Sequence, residues 1–165
     1  MRRSVLMAAL CIGLMGALLA CHNDRYESSY PSLADADKAG AIAHGWIPDF
    51  LLESSRTIHE IHDLSPSTGW CAFEFLPNDS QSLRKNLKSV DALTPSVRRV
   101  PSPGVSWWPA VPKGDLELEK VHQAGFDIYE LVTPATESTK SVKLFAIDWA
   151  KGRGFFYETS AFGGE

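Results

Sequence analysis

An uninterrupted apolar run, Val5 to Ala20, decides how much of this chain is left to fold. Arg2 and Arg3 precede the run and Cys21 closes it. A cationic start, a short apolar core and a small residue at the end have the form of a secretory signal. The run falls short of the roughly 20 residues a helix needs to cross a ~30 Å hydrocarbon core. An uncleaved anchor or a buried apolar helix is the alternative use of the same run. Residues 1–20 are read as the signal, which leaves one passenger to build a core.

The junction Leu18-Leu19-Ala20-Cys21 resembles the lipobox of bacterial lipoproteins: Leu18, Ala20 and Cys21 match it, and Leu19 departs from it. The resemblance implies a Cys21 that is diacylated on sulfur and becomes the mature N-terminus. Two or three acyl chains anchor stably, since each buried CH₂ contributes about 0.8 kcal/mol and one chain alone binds only marginally. His22 follows Cys21, where the inner-membrane retention signal of the enterobacterial family has Asp. The resemblance therefore places the chain on the periplasmic face of the outer membrane, with the lipid bilayer as its first partner.

The passenger has the length of one domain with a single hydrophobic core. Without Arg2 and Arg3 it carries 14 Lys and Arg against 20 Asp and Glu. An acidic balance argues against nucleic acid as a partner. Cys11 leaves with the signal and Cys21 is committed to lipid, so Cys71 stands alone. Between Trp70 and Ala72 it reads as a buried, inert thiol, with a reactive or metal-binding thiol as the alternative.

Residues 21–31 are polar and without apolar periodicity, which predicts a flexible tether. A single α+β domain over 32–160 follows. Ser32 with Asp35 forms a capping box for a helix to His44, and Gly45 is placed to end it. Pro48 breaks any continuation. The cluster Trp46, Ile47, Phe50 and Leu51 either closes the core or displays a recognition patch. Thr57–Asp63 and Trp70–Leu76 read as a hairpin across a loop rich in Ser, Pro, Thr and Gly. A second helix is expected from Pro77 to Val90, capped by Asn78 with Gln81. Residues 91–115 hold five of the ten prolines and the pair Trp107-Trp108. A loop of this length is often functional or mobile, and its tryptophans either pack down or offer a binding surface. Residues 116–124 read as a short helix or turn. Residues 126–132, 142–149 and 154–159 read as strands by alternation, the last two joined at Ala150–Arg153.

His59-Glu60-Ile61-His62-Asp63 invites a metal reading in which His59, His62 and Asp63 are ligands. The helical metalloprotease pattern needs histidines four apart with Glu between, and that spacing is absent. On a strand, His59, Ile61 and Asp63 face one way and Glu60 and His62 the other, so the two histidines diverge. The alternative is a solvated strand face with no chemistry. No G-x-S-x-G elbow, Walker pattern or dinucleotide pattern occurs, so no cofactor is implied.

The run Gly45-Trp46-Ile47-Pro48, then Ser54 to Asp63, then Trp70-Cys71-Ala72-Phe73-Glu74-Phe75 resembles a family of small bacterial proteins, many of them lipoproteins. They share a GW[IL]P segment followed by Ile and His-[Asp/Asn], then an aromatic strand. Glu53 stands where many of them have Pro. The resemblance brings no activity with it.

The expected fold is α+β: a mainly antiparallel sheet of about five strands with two or three helices packed on one face. The expected function is a membrane-anchored, non-catalytic module that binds an envelope partner, a toxin included, through Trp46, Phe50, Trp107 and Trp108. The enzymatic alternative rests on a metal or hydrolytic site at His59, Glu60, His62 and Asp63.

Overall fold

The computed structural model describes residues 24–65, 67–91, 99–131 and 141–160. The signal segment and Cys21 lie outside the described residues. The strands are β1 (Arg25–Ser32), β2 (Arg56–Leu64), β3 (Ser67–Glu74), β4 (Leu87–Ser89), β5 (Arg99–Val100), β6 (Gly114–Asp115), β7 (Asp127–Leu131), β8 (Ser141–Asp148) and β9 (Arg153–Ser160). Three short helices stand between them: α1 (Leu33–Lys38), α2 (Ser80–Lys85) and α3 (Leu118–Gln123). Seven strands form one antiparallel sheet in the order β1-β2-β3-β9-β8-β7-β4, and β5 pairs with β6 apart from it. The sheet is two meanders, β1-β2-β3 and β7-β8-β9, joined where β3 meets β9.

This corrects the expected architecture. The main sheet has seven strands, and the helices do not share one face. Ala36 of α1 and Leu83 of α2 lie in a core with Ile47, Leu51, Phe73, Phe145 and Ile147. Val121 of α3 lies in a second core with Trp70, Val100, Trp108, Leu116, Phe155 and Tyr157. Alternate residues of each strand feed opposite cores, as the period of two requires. The central strands show why two covers are needed: Trp70-Cys71-Ala72-Phe73 and Leu144-Phe145-Ala146-Ile147 are apolar at every position and buried throughout. Near-continuous apolar strands are the mark of a sheet covered on both faces. The proline-rich segment supplies the second cover, placing Val100, Trp108 and Leu116 on the sheet.

Local chemistry sets the remaining elements. The Ser32 hydroxyl accepts from the Asp35 backbone N–H at 3.2 Å and donates to the Asp35 carboxylate at 2.6 Å, capping α1. That helix stops at Lys38, and a turn runs on to Gly45, whose φ of 77° suits glycine. The second expected helix is shorter than its periodicity implied. Pro77–Asp79 is a 3-10 turn, Asp79 precedes α2 without a side-chain cap, and no Asn78–Gln81 box forms. Leu87 pairs with Leu131 instead, because the open edge of β7 offers a hydrogen-bonding ladder.

The expected tether is also corrected over 25–31. Those residues form the edge strand β1, in register with β2 from Arg25↔Asp63 to Ser32↔Arg56. An edge strand with one side in water needs no strong apolar alternation, so its sequence looks like linker.

Candidate functional site

Five residues lie side by side across the sheet on the face of α1 and α2. Tyr26 pairs with His62, His62 with Gly69, Gly69 with Glu158, and Glu158 with Lys143. Gly69 alone lacks a side chain, so a gap opens between His62 and Glu158. The resulting cleft encloses about 240 Å³ and is also lined by Trp46, Phe156 and Thr68. The next row on the same face is Ser28, Glu60, Cys71, Phe156 and Phe145, which forms the layer beneath.

Stacking holds one wall. The His62 ring lies between Trp46 (3.9 Å) and Tyr26 (5.2 Å), and Trp46 stacks on His44 at 4.6 Å on its other side. His44 Nδ1 in turn bonds the Gly40 carbonyl at 2.6 Å, which fixes the outermost ring. Pro48 and the turn before it therefore matter to the site: they carry Trp46 over β2 rather than along a helix. Leu64, 57% exposed, borders the cleft, and Tyr26, 48% exposed, backs His62 outside it.

Glu60 is fully buried, and its Oε2 lies 2.9 Å from His62 Nδ1. A carboxylate only accepts, so His62 Nδ1 donates to it and the ring's orientation is set. Glu60 Oε1 has no partner among the described residues. On the far side, burial pushes the Glu158 carboxyl above the usual carboxylate range, and Lys143, 3.5 Å away, opposes that shift. Burial first and the Glu60 charge second push the Cys71 thiol strongly up, which keeps it protonated and inert.

The sequence-named residues do not assemble into one site. His59 sits on the other face of β2, bonded to Ser29 at 2.7 Å and stacked on Trp107. Ile61, the neighbour of Asp63 on that face, enters the second core, and Asp63 pairs across the ladder with Arg25 and Thr68. His59 and His62 thus point into separate surroundings, and no group of three metal-ligating side chains converges among the described residues. The aromatic candidates are mostly consumed internally. Trp108 is buried and donates to the Pro112 carbonyl at 3.0 Å. Trp107 is half-buried and donates to Glu27 at 3.2 Å. Phe50 packs on Phe145. Trp46 alone of the four reaches the cleft.

Sequence reasoning missed Gly69, Glu158, Lys143 and Tyr26. The Ser, Pro, Thr and Gly composition before Trp70 reads as loop, whereas Gly69 lies inside β3, and a glycine inside a strand is itself a signal of close approach by another group. Glu158 and Lys143 carry no motif, and only the β3–β9 junction brings them beside β2.

Residues 24–74 match the family model of the YbbD head domain. The match covers 51 of the 165 residues, so it is a likeness of this part of the chain. It spans β1, α1, β2 and β3, so it covers His62, Gly69 and Trp46 but not Glu158 or Lys143. No curated protein and no solved structure matches the chain.

Proposed function

We propose that this chain is a lipid-anchored, non-catalytic binding module of the bacterial envelope, and that it binds through the cleft over Gly69. The anchor rests on the sequence: Leu18, Ala20 and Cys21 at the end of an apolar run. An acylated Cys21 holds the domain at the periplasmic face of the outer membrane. The binding role rests on one observation. A single missing side chain at Gly69 leaves His62, Glu158 and Lys143 facing a shared space, with exposed Leu64 at its edge. Convergent polar groups on a formed apolar floor are what binding sites share. The enzymatic reading needed His59, Glu60, His62 and Asp63 together, and the two faces of β2 divide them.

Crosslinking and capture of the tagged, lipidated chain from its own membranes tests the binding role. Wild type is expected to capture a specific envelope component, and Gly69→Leu to lose it. A Cβ at position 69 meets only the Ile61 carbonyl oxygen, at 3.9 Å, so the backbone accepts a side chain there and the added atoms are aimed into the cleft; an unchanged far-UV spectrum checks that the strand is kept. Capture that is unchanged in Gly69→Leu sinks the cleft as the binding site. Membrane fractionation tests the anchor: Cys21→Ser moves the protein to the soluble fraction, and an unchanged membrane fraction refutes lipidation.

A further inference from the structure

We propose that the cleft over Gly69 takes a single uncharged, polyhydroxylated ring, a ligand of the saccharide class. The inference rests on the reading of that cleft as the binding site and adds the chemistry of what enters it.

Charge comes first. The charged pair on the cleft's own face of the sheet is Glu158 with Lys143, matched within the protein; Asp63 also borders the space, without an ion-pair partner among the described residues, and alternation along β2 turns its side chain to the opposite face. Glu158 is matched by Lys143 at 3.5 Å, and His62 is bonded to Glu60 at 2.9 Å. An anionic ligand drawn to Lys143 displaces Glu158 and leaves a carboxylate without its cation. A cationic ligand drawn to Glu158 does the same to Lys143. Leaving one member of a partly buried pair uncompensated is costly. A neutral ligand meets both groups without separating them.

Hydrogen-bond inventory narrows the choice. With Nδ1 committed to Glu60, Nε2 is the ring nitrogen that His62 has left for a ligand. Glu158 offers carboxylate acceptors, Lys143 offers ammonium donors, and Ser67 lines the same space with a hydroxyl that does both, while the Thr68 hydroxyl is paired with Thr159 on the other face. Donors and acceptors therefore alternate around a small volume. A hydroxyl both donates and accepts, so adjacent hydroxyls on one ring match such an alternation. A purely apolar ligand leaves these groups unsatisfied.

Size and shape agree. At about 240 Å³ the space lies below the roughly 300–1,000 Å³ of pockets for drug-sized ligands, which favours one ring. Phe156 gives an apolar floor, and Trp46 stacked on His62, with Tyr26 behind, gives a rigid wall. Those rings are locked face to face, so they present edges to a ligand. The C–H surface of a saccharide suits the floor while its hydroxyls address the rim.

The experiment is ligand-observed NMR on the mature, detergent-solubilised chain with four probes. These are a neutral methyl hexopyranoside, the corresponding uronate, the corresponding 2-amino sugar, and inorganic phosphate. The neutral glycoside is expected to bind, with the uronate, the amino sugar and phosphate each weaker by about tenfold or more, a factor worth roughly 1.4 kcal/mol. Gly69→Leu is expected to abolish binding, and Glu158→Gln to weaken it while the far-UV and near-UV spectra stay native. The proposal is overturned if a charged probe binds as tightly as the neutral one, if no probe binds up to its solubility, or if glycoside binding survives Gly69→Leu. Should membrane capture depend on Gly69 while no glycoside binds, the ligand class is wrong and the cleft remains the binding site.

Discussion

Glu60 Oε2 lies 2.9 Å from His62 Nδ1, with the carboxylate fully buried and the imidazole 6% exposed. The pair sits on the floor side of the cleft, on the strand face shared with Cys71. Burial of two ionisable groups is expensive, and an apolar pair in the same volume is often no less stable. A pair kept at such a cost serves placement: it fixes one ring orientation of His62. Glu60→Ala is expected to destabilise the domain by about 3–5 kcal/mol, the cost of leaving one partner of a buried pair. Glu60→Gln keeps an acceptor for Nδ1 and is expected to cost clearly less. Urea unfolding of both variants checks this, and equal losses contradict the placement role.

Trp108 and Trp107 separate core from surface. Trp108 is buried against Phe155 and bonded to Pro112, whereas Trp107 is half-buried at the edge of the same core. Trp108→Ala should cost about 3–5 kcal/mol, as for other buried aromatics cut to alanine. Trp107→Ala should cost distinctly less, since it loses one ring stack on His59 and a bond to Glu27. Thermal unfolding of the two variants decides it; a reversed order places the cover of the second core wrongly.

Gly154 faces Phe73 across the β3–β9 ladder, and a Cβ there meets the Phe73 ring at 2.2 Å. The ring has the space only because position 154 has no side chain. Gly154→Ala is expected to cost about 1–3 kcal/mol by overpacking. Phe73→Leu in the same chain should recover part of that loss. A double-mutant cycle without coupling refutes the contact.

Asp148 anchors the turn between β8 and β9. Its carboxylate accepts from the Lys151 backbone N–H and from Arg153, each at 3.0 Å. Burial alone raises its pKa, but the Arg153 bond, the Lys151 N–H and the Lys151 ammonium outweigh it, and the net shift is downward. A carboxylate lowered in the folded state contributes stability above its unfolded value, about 3.9, and loses it as pH falls through the lower folded value. Asp148→Asn should flatten the stability–pH curve in that acid window. A curve that keeps its wild-type slope there contradicts the assignment.

Glu158 has the opposite sign. Burial raises its folded pKa, so the ionised form is the disfavoured one in the folded state. Its penalty is absent below the unfolded value, about 4.3, and complete once pH exceeds the raised folded value. Glu158→Gln removes this penalty and the pair with Lys143 together, so it should flatten the stability–pH curve between those two values while weakening glycoside binding. A curve that keeps its wild-type slope there, with binding intact, refutes both roles.

Much of the local structure was legible in the sequence. The Ser32–Asp35 cap formed as the side chains dictate, and the β2–β3 and β8–β9 hairpins fell close to their expected bounds. The split of His59 from Glu60 and His62 followed from strand periodicity alone. Strand β1 was not legible, because edge pairing satisfies its backbone whatever its polar side chains are. Strand β4 was not legible either, because Leu83, Leu87 and Val90 also fit a helical stripe.

What the sequence by itself determined is local: the Ser32 cap, the hairpin turns and the strand periodicity. These depend on neighbours a few residues away. The tertiary structure decided which faces are covered and what meets across strands. The proline-rich segment became the second cover only because the central strands are apolar on both sides and demand one. The cleft exists only because β9 docks against β3, setting Glu158 beside Gly69 and His62 beyond it. No local preference encodes that junction; it is fixed by burial shared between residues far apart in the chain.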